Sequence, residues 1–236
     1  MITFVCFQWN IGFREYLPEH VNALARQVHR HCKAPHRFVC ITDETEGFEP
    51  GVEVLPLPDA ARAVVDIPSP EGASFPSCYR RLWLFSADAA ALLGPRVMLL
   101  DIDCLVVGDL APLFSTDADL VCCRPAKSWG REDRVMGGTW LHKTGTLPWV
   151  WDEFVADPEG CIARARAAGW RGSDQAYLSH RLTGIYALWP RHIGIYQAQD
   201  GTASWQRPPD NARIAHFNGN RRPWSMETKW VREALA

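Results

Sequence analysis

Two aspartates at the end of an apolar run, VMLLDIDCLVV, are the residues best placed to do chemistry: Asp101 and Asp103. Residues two apart on an extended chain share a face, so both carboxylates can serve one cation, or one cation and one ribose. Hard oxygen ligands suit Mg²⁺ or Mn²⁺, and a diphosphate would complete the shell. A strand end capped by solvated aspartates is the competing reading, because short acidic motifs are common. A second segment, IAHFNGNRRPW from Ile214 to Trp224, carries complementary groups. His216 offers an imidazole ligand, Gly219 permits close backbone approach, and Arg221 and Arg222 offer guanidinium forks for phosphate. The bland alternative there is a basic surface turn beside a core tryptophan.

These groups need a scaffold to bring them together. Ile2 to Phe7 is an apolar run ending in Gln8 and Asn10, and Leu17, Val21, Leu24 and Val28 then recur at helical spacing, so a strand, a loop and a helix are expected. Runs at Arg37 to Thr42 and Val52 to Leu57 continue the alternation of an α/β sheet. Val97 to Leu100 is a fully apolar strand that delivers Asp101 and Asp103 at its carboxyl end, the edge where open α/β sheets bind ligands. Before it, IPSPEGASFPS (67–77) reads as a mobile surface loop, followed by one helical face of Leu82, Phe85, Ala89 and Leu92 that Gly94-Pro95 stops. Further strands are expected at Leu120 to Cys123 and Thr139 to His142, and helices at Trp149 to Val155 and Asp174 to Leu182. The segment from Asn211 reads as a tail folded back over a site. With no repeat and no linker, residues 1–236 are expected to form one domain.

Together, the D-x-D and the late His216, Gly219, Arg222, Pro223 and Trp224 resemble glycosyltransferase family 8, the glycogenin-like and lipopolysaccharide-galactosyltransferase-like enzymes. That family pairs D-x-D with H-x-x-G-x-x-K-P-W. The resemblance implies a GT-A fold, a Rossmann-like nucleotide-diphospho-sugar transferase domain with a mixed, mostly parallel sheet. It implies retaining, metal-dependent transfer of a hexose from a UDP-sugar to a saccharide, lipid-linked or protein acceptor. Asp101, Asp103 and His216 would ligate Mn²⁺ or Mg²⁺, with Ile102 between the aspartates and Gly219 and Arg221 beside the donor. Arg222 stands where the family has Lys; it keeps the charge and adds bidentate geometry, and Arg221 is the other candidate for the phosphate contact.

Other segments match in part. Cys78-Tyr79-Arg80-Arg81-Leu82 resembles the family's Y-x-R-L helix start, whose Arg contacts donor sugar and phosphate. Arg81 takes that position with Tyr79 beside it, while Arg80 reads as an exposed helical arginine. Gly172-Ser173-Asp174-Gln175 resembles the D-Q helix start beside the donor sugar, which makes Asp174 and Gln175 catalytic candidates; an N-cap from Ser173 or Asp174 is the alternative. Met136-Gly137-Gly138 stands where the family has N-A-G or N-S-G, so Gly137 and Gly138 fall against the sugar but the Asn amide is missing. Phe7-Gln8-Trp9-Asn10 replaces a small polar nucleobase loop and offers amide donors and an aromatic face for uracil. Gln175 is a poor nucleophile and Asp174 is engaged as cap or sugar ligand, so front-face attack guided by the leaving phosphate is the expected route.

Bulk properties narrow the classes. The chain has 236 residues, 47% of them hydrophobic, enough to bury a sizeable core. Its net charge of −2 and scattered Lys and Arg leave no footprint for nucleic acid. Several of the eight cysteines lie in apolar runs, which fits reduced thiols and a cytoplasmic protein. No apolar run approaches the roughly 20 residues of a membrane span, and the first ten residues do not read as a leader. Two rivals come from other classes. A haloacid-dehalogenase-type phosphatase also uses an apolar strand plus D-x-D, though on its first strand. A non-catalytic carbohydrate-binding protein is suggested by eleven tryptophans, of which Trp151, Trp170 and Trp189 serve equally well as core.

Overall fold

The computed structural model describes residues 1–10, 15–72, 75–124, 134–198, 206–217 and 222–236. Its first strand, β1 (Ile2–Phe7), is buried on both faces, as expected of a run with no polar alternation. Phe4 and Cys6 point to one side and Val5 and Phe7 to the other. Helix α1 (Pro18–His31) starts with proline at its first turn and lays Val21, Leu24, Ala25 and Val28 on the Phe4 side. Each fully buried Val or Leu there stabilises the fold by about 1.5–3 kcal/mol.

β2 (His36–Ile41) and β3 (Glu53–Leu55) extend the sheet in parallel from β1. β3 is shorter than the expected 52–57 because Pro56 and Pro58 have no N–H to give to a ladder. α2 (Asp59–Arg62) is a single turn. Tyr79–Phe85 forms a 3-10 helix, and Ser86 then accepts the Ala89 N–H at 3.1 Å and starts α3 (Ala87–Leu93) afresh. The continuous helical face expected from Leu82 to Leu92 is therefore broken, and Leu92 is exposed.

β4 (Arg96–Leu100) pairs with β1 on the side away from β2. β5 (Cys104–Val106) leaves the main sheet, while β6 (Leu120–Cys122), β7 (Thr139–Lys143) and β8 (Ala187–Leu188) complete it. The strand order is β3-β2-β1-β4-β7-β6-β8, and β7 alone runs antiparallel to its neighbours. The sheet is thus mixed and mostly parallel, and its order reverses between β1 and β4. Crevices at such reversals bind ligands because the connections diverge to opposite faces. Helices α4 (Trp149–Ala156), α5 (Pro158–Ala167) and α6 (Asp174–Arg181) cover the Val5 side with the 3-10 turn.

A second sheet has the order β5-β10-β9, with β9 at Ile195–Ala198 and β10 at Ile214–Phe217. β10 runs antiparallel to β5, which places His216 opposite Cys104, three residues past Asp101. The last helix, α7 (Lys229–Leu235), packs Val231 behind it. Trp151, Trp170 and Trp189 are buried in the core, all eight cysteines are unpaired, and among the described residues no helix is long and apolar enough to cross a membrane.

Candidate active site

A cavity of about 440 Å³ opens at the carboxyl ends of β1 and β4. That is within the range of small-ligand sites. Asp101 follows β4 and donates its backbone N–H to Gly138 O at 2.9 Å, so the D-x-D turn is pinned to the chain entering β7. Its side chain keeps 36% of its surface open to the cavity but sits deep among protein atoms. Burial pushes its carboxyl up to about 6, with Arg81 pulling the other way and Asp103 and Asp174 adding to the rise. Ile102 is buried and lines the cavity between the two acids.

Asp103 is committed to two neighbours. Tyr16 donates its hydroxyl to Oδ2 at 3.2 Å, and Arg222 Nε lies 3.1 Å from the same oxygen as an ion pair off the hydrogen-bond line. Arg81 is 6% exposed and forms a fork on Asp174, Nε to Oδ2 at 2.7 Å and Nη2 to Oδ1 at 2.9 Å, with Nη1 reaching Asp101 Oδ1 at 2.5 Å. One guanidinium therefore joins two carboxylates from β4 and α6. Asp174 is 1% exposed.

The glycines before β7 explain how these groups converge. A Cβ on Gly137 would fall 2.8 Å from Arg81 Nη2, and one on Gly138 would fall 2.7 Å from Asp101 Oδ2 and 3.1 Å from His216 Nδ1. Neither glycine has a positive φ, so the requirement is space, and only a bare backbone passes between the charges. Met136 lines the cavity as an apolar wall where the resemblance has an Asn. His216 is buried on β10, its Nε2 2.9 Å from Thr139 Oγ1. Burial lowers its pKa to about 4 against the opposing pull of Asp103, so the ring is neutral.

Several expected site residues are elsewhere. Tyr79 is a core residue stacked on Phe154 at 4.8 Å and does not line the cavity, because Tyr79, Leu82 and Phe85 share the inward face of the 3-10 turn. Gln8 is also turned away: its amide donates to Tyr16 O at 2.6 Å and accepts from the Thr42 hydroxyl. Asn10 uses Oδ1 to accept the Tyr16 N–H at 3.0 Å. Both hold Tyr16 rather than face a base. Phe7 and Trp9 do line the cavity, and Arg80 is half-buried with its guanidinium 4.4 Å over the Trp9 ring, not exposed. Ser173 does not cap α6; its Oγ accepts the Cys78 N–H at 3.1 Å and ties the preceding loop to the helix. Gln175 is half-buried and faces the cavity. Gly219 and Arg221 lie outside the described residues.

Three contributors carried no sequence signal. Tyr16 reaches Asp103 from the loop after β1. Thr139 contacts His216. Glu71, in the 67–77 segment, accepts from Arg166 at 3.0 Å and from the Gly172 N–H at 3.1 Å and so anchors that segment at the cavity rim.

Among the described residues no three His, Cys, Asp or Glu side chains are placed to hold a metal ion, and Asp103 is engaged by Tyr16 and Arg222. The donor chemistry nevertheless fits a hard divalent cation. Asp101 Oδ2 and His216 Nδ1 face one gap at Gly138, both free of hydrogen-bond partners among the described residues, with Asp103 beside them.

No protein-family model matches the sequence, and no curated protein matches it either. Solved structures do. The galactosyltransferase LgtC in complex with donor and acceptor sugar analogs is similar over 98% of this chain and 95% of its own, with a TM-score of 0.63 and 16% identity. The glycosyltransferase GlyE of Streptococcus pneumoniae TIGR4 covers 99% of this chain at a TM-score of 0.64 and 15% identity, the match spanning 60% of GlyE. The bifunctional glycosyltransferase WbbM covers all of it at 0.57 and 13% identity, over 49% of WbbM. With its switch point, mixed sheet and second small sheet, the chain has the GT-A glycosyltransferase fold.

Proposed function

We propose that this chain transfers a hexose from a UDP-sugar to an acceptor hydroxyl with retention of anomeric configuration, using Mn²⁺ or Mg²⁺. The observation that carries the reading is the meeting of Asp101 and His216 across Gly138, at the point where the strand order reverses. The glycosyltransferase neighbours support sugar transfer over a dehalogenase-type phosphatase, and the burial of Trp151, Trp170 and Trp189 in the core weakens the argument for a binding module.

Asp101 and His216 would hold the cation, with Asp103 as a third ligand once it turns from Tyr16 and Arg222, and the cation when bound offsets charge on the departing diphosphate. Arg222, beside Asp103, adds a guanidinium at the same end. Phe7 and Trp9 offer apolar faces for a base, and Gln175 an amide for sugar hydroxyls. Asp174 orients Arg81, and Arg81 in turn holds Asp101, so this carboxylate is a positioning group rather than the sugar contact expected of it. The acceptor, a saccharide, lipid-linked or protein hydroxyl, enters past the rim formed by Glu71 and Phe75.

Incubation with a panel of UDP-hexoses and Mn²⁺, read by UDP release, tests this. One donor is expected to stand out, with release lost on chelation. Absence of both UDP release and UDP binding across the panel would overturn the reading.

A further inference from the structure

Thr139 is fully buried at the start of β7, and its hydroxyl oxygen has two close neighbours: Gly138 O at 2.7 Å and His216 Nε2 at 2.9 Å. Two oxygens at that separation need a proton between them, or their lone pairs collide. The Gly138 carbonyl has none to give and already accepts the Asp101 N–H. The proton in that contact therefore belongs to Thr139, and a hydroxyl has only one. Towards His216 the same oxygen can only accept, so the imidazole carries its hydrogen on Nε2. The lone pair is then on Nδ1, on the ring edge that lies against Gly138, where a Cβ would fall 3.0 Å from His216 Cε1, 3.1 Å from Nδ1 and 2.7 Å from Asp101 Oδ2.

We propose that Thr139 is a positioning residue that holds His216 as its Nε2–H tautomer and presents the Nδ1 lone pair to the cation site. This deepens the cation-dependent reading above and rests on it for its consequence, while the tautomer itself is a property of the protein without metal. A ring nitrogen in the opposite tautomer would turn an N–H toward a cation and could not ligate it. Isolation from water makes the arrangement specific, since no solvent molecule at a buried Thr139 replaces the acceptor if the hydroxyl is removed.

The test compares wild type with Thr139→Val and Thr139→Ser, and with Thr139→Ala if the valine variant fails to fold. Long-range proton–nitrogen correlation spectra of the ¹⁵N-histidine-labelled, metal-free protein assign the His216 tautomer. Mn²⁺ affinity is read by the electron-spin signal of free Mn²⁺ during titration. Wild type and Thr139→Ser are expected to show Nε2–H, and Thr139→Val to lose that preference. Mn²⁺ affinity is expected to drop about 10- to 100-fold in Thr139→Val and to be restored in Thr139→Ser. An Nδ1–H ring in wild type, or an unchanged tautomer and Mn²⁺ affinity in Thr139→Val, overturns the proposal. A wild type that shows Nε2–H, lost in Thr139→Val, but binds no Mn²⁺ supports the tautomer assignment and rejects the cation reading instead.

Discussion

Arg81 and Asp174 form a closed two-bond fork, 2.7 and 2.9 Å, between the 3-10 turn ahead of α3 and the first residue of α6. Both side chains are nearly sealed from solvent, so removing one leaves the other charged and buried. Asp174→Ala is expected to cost about 3–5 kcal/mol of folding stability, a fall in melting temperature of roughly 10 °C, together with most turnover. Gln175→Ala, one residue on and facing the cavity, is expected to lower turnover with little change in stability. Urea unfolding beside a UDP-release assay separates them; equal stability losses would remove the distinction drawn between clamp and ligand.

Asp103 has Tyr16 and Arg222 as partners but lies at a strand end on the cavity wall. Asp103→Ala is expected to fold, by circular dichroism, and to lose turnover about a hundredfold or more, since the proposed cation would lose a carboxylate ligand. His216→Ala should act in the same direction but more mildly with both carboxylates in place. A folded Asp103→Ala enzyme at wild-type turnover would move the site elsewhere.

Chelation offers an independent check on the same groups. Turnover is expected to vanish in excess EDTA and to return when Mn²⁺ or Mg²⁺ is added back. Undiminished activity after thorough chelation would leave the Asp101 and His216 pairing across Gly138 without its assigned role.

The strand carrying Asp101 was legible in the sequence because Val97 to Leu100 is buried on both faces and needs no alternation to announce itself. Phe7 and Gln8 show the opposite case. The period of two sends Gln8 to Thr42, and nothing in FQWN says which member of the alternation meets the cavity. Tyr79 sits in the core rather than beside the cavity because a 3-10 turn repeats every three residues, which draws it inward with Leu82 and Phe85. Short strands such as β9 and β10 follow from pairing rather than periodicity, so His216 was visible only through its motif.

His142 lies on β7 with neither ring nitrogen hydrogen-bonded among the described residues, 4.5 Å from the Phe85 ring. Burial lowers its pKa from 6.5 to about 4. The unfolded chain takes up a proton near pH 6.5 while the native ring refuses one until about 4, so stability is full above the upper value and is lost as pH falls through the window. Between about pH 7 and about pH 5 this one group is expected to cost about 2 kcal/mol. Denaturation midpoints of wild type and His142→Leu at the two pH values check this. The leucine variant should lose less by that amount, and parallel losses would show that His142 is not the group responsible.

The stereochemical outcome turns on which carboxylate is free to act. A double displacement needs a nucleophile at the sugar, and an inverting reaction needs a general base for the acceptor hydroxyl. Four carboxylates line the cavity among the described residues. Asp174 is locked in the Arg81 fork, and Asp101 and Asp103 are assigned to the proposed cation site. Glu71 is turned to Arg166 and the Gly172 N–H at the rim. Asp152 and Glu153 on α4 do not reach the cavity, and Glu153 is paired with Arg181 at 2.6 Å. With each acid engaged, the proposed reaction would leave the departing phosphate to receive the acceptor's proton on the face it leaves, so an α-linked donor is expected to give an α-linked product. Proton NMR of the anomeric signal in early product reads this before mutarotation can scramble free sugar. A β-linked product would reject front-face attack and single out Glu71 as the base, the one cavity carboxylate outside both the Arg81 fork and the proposed cation site.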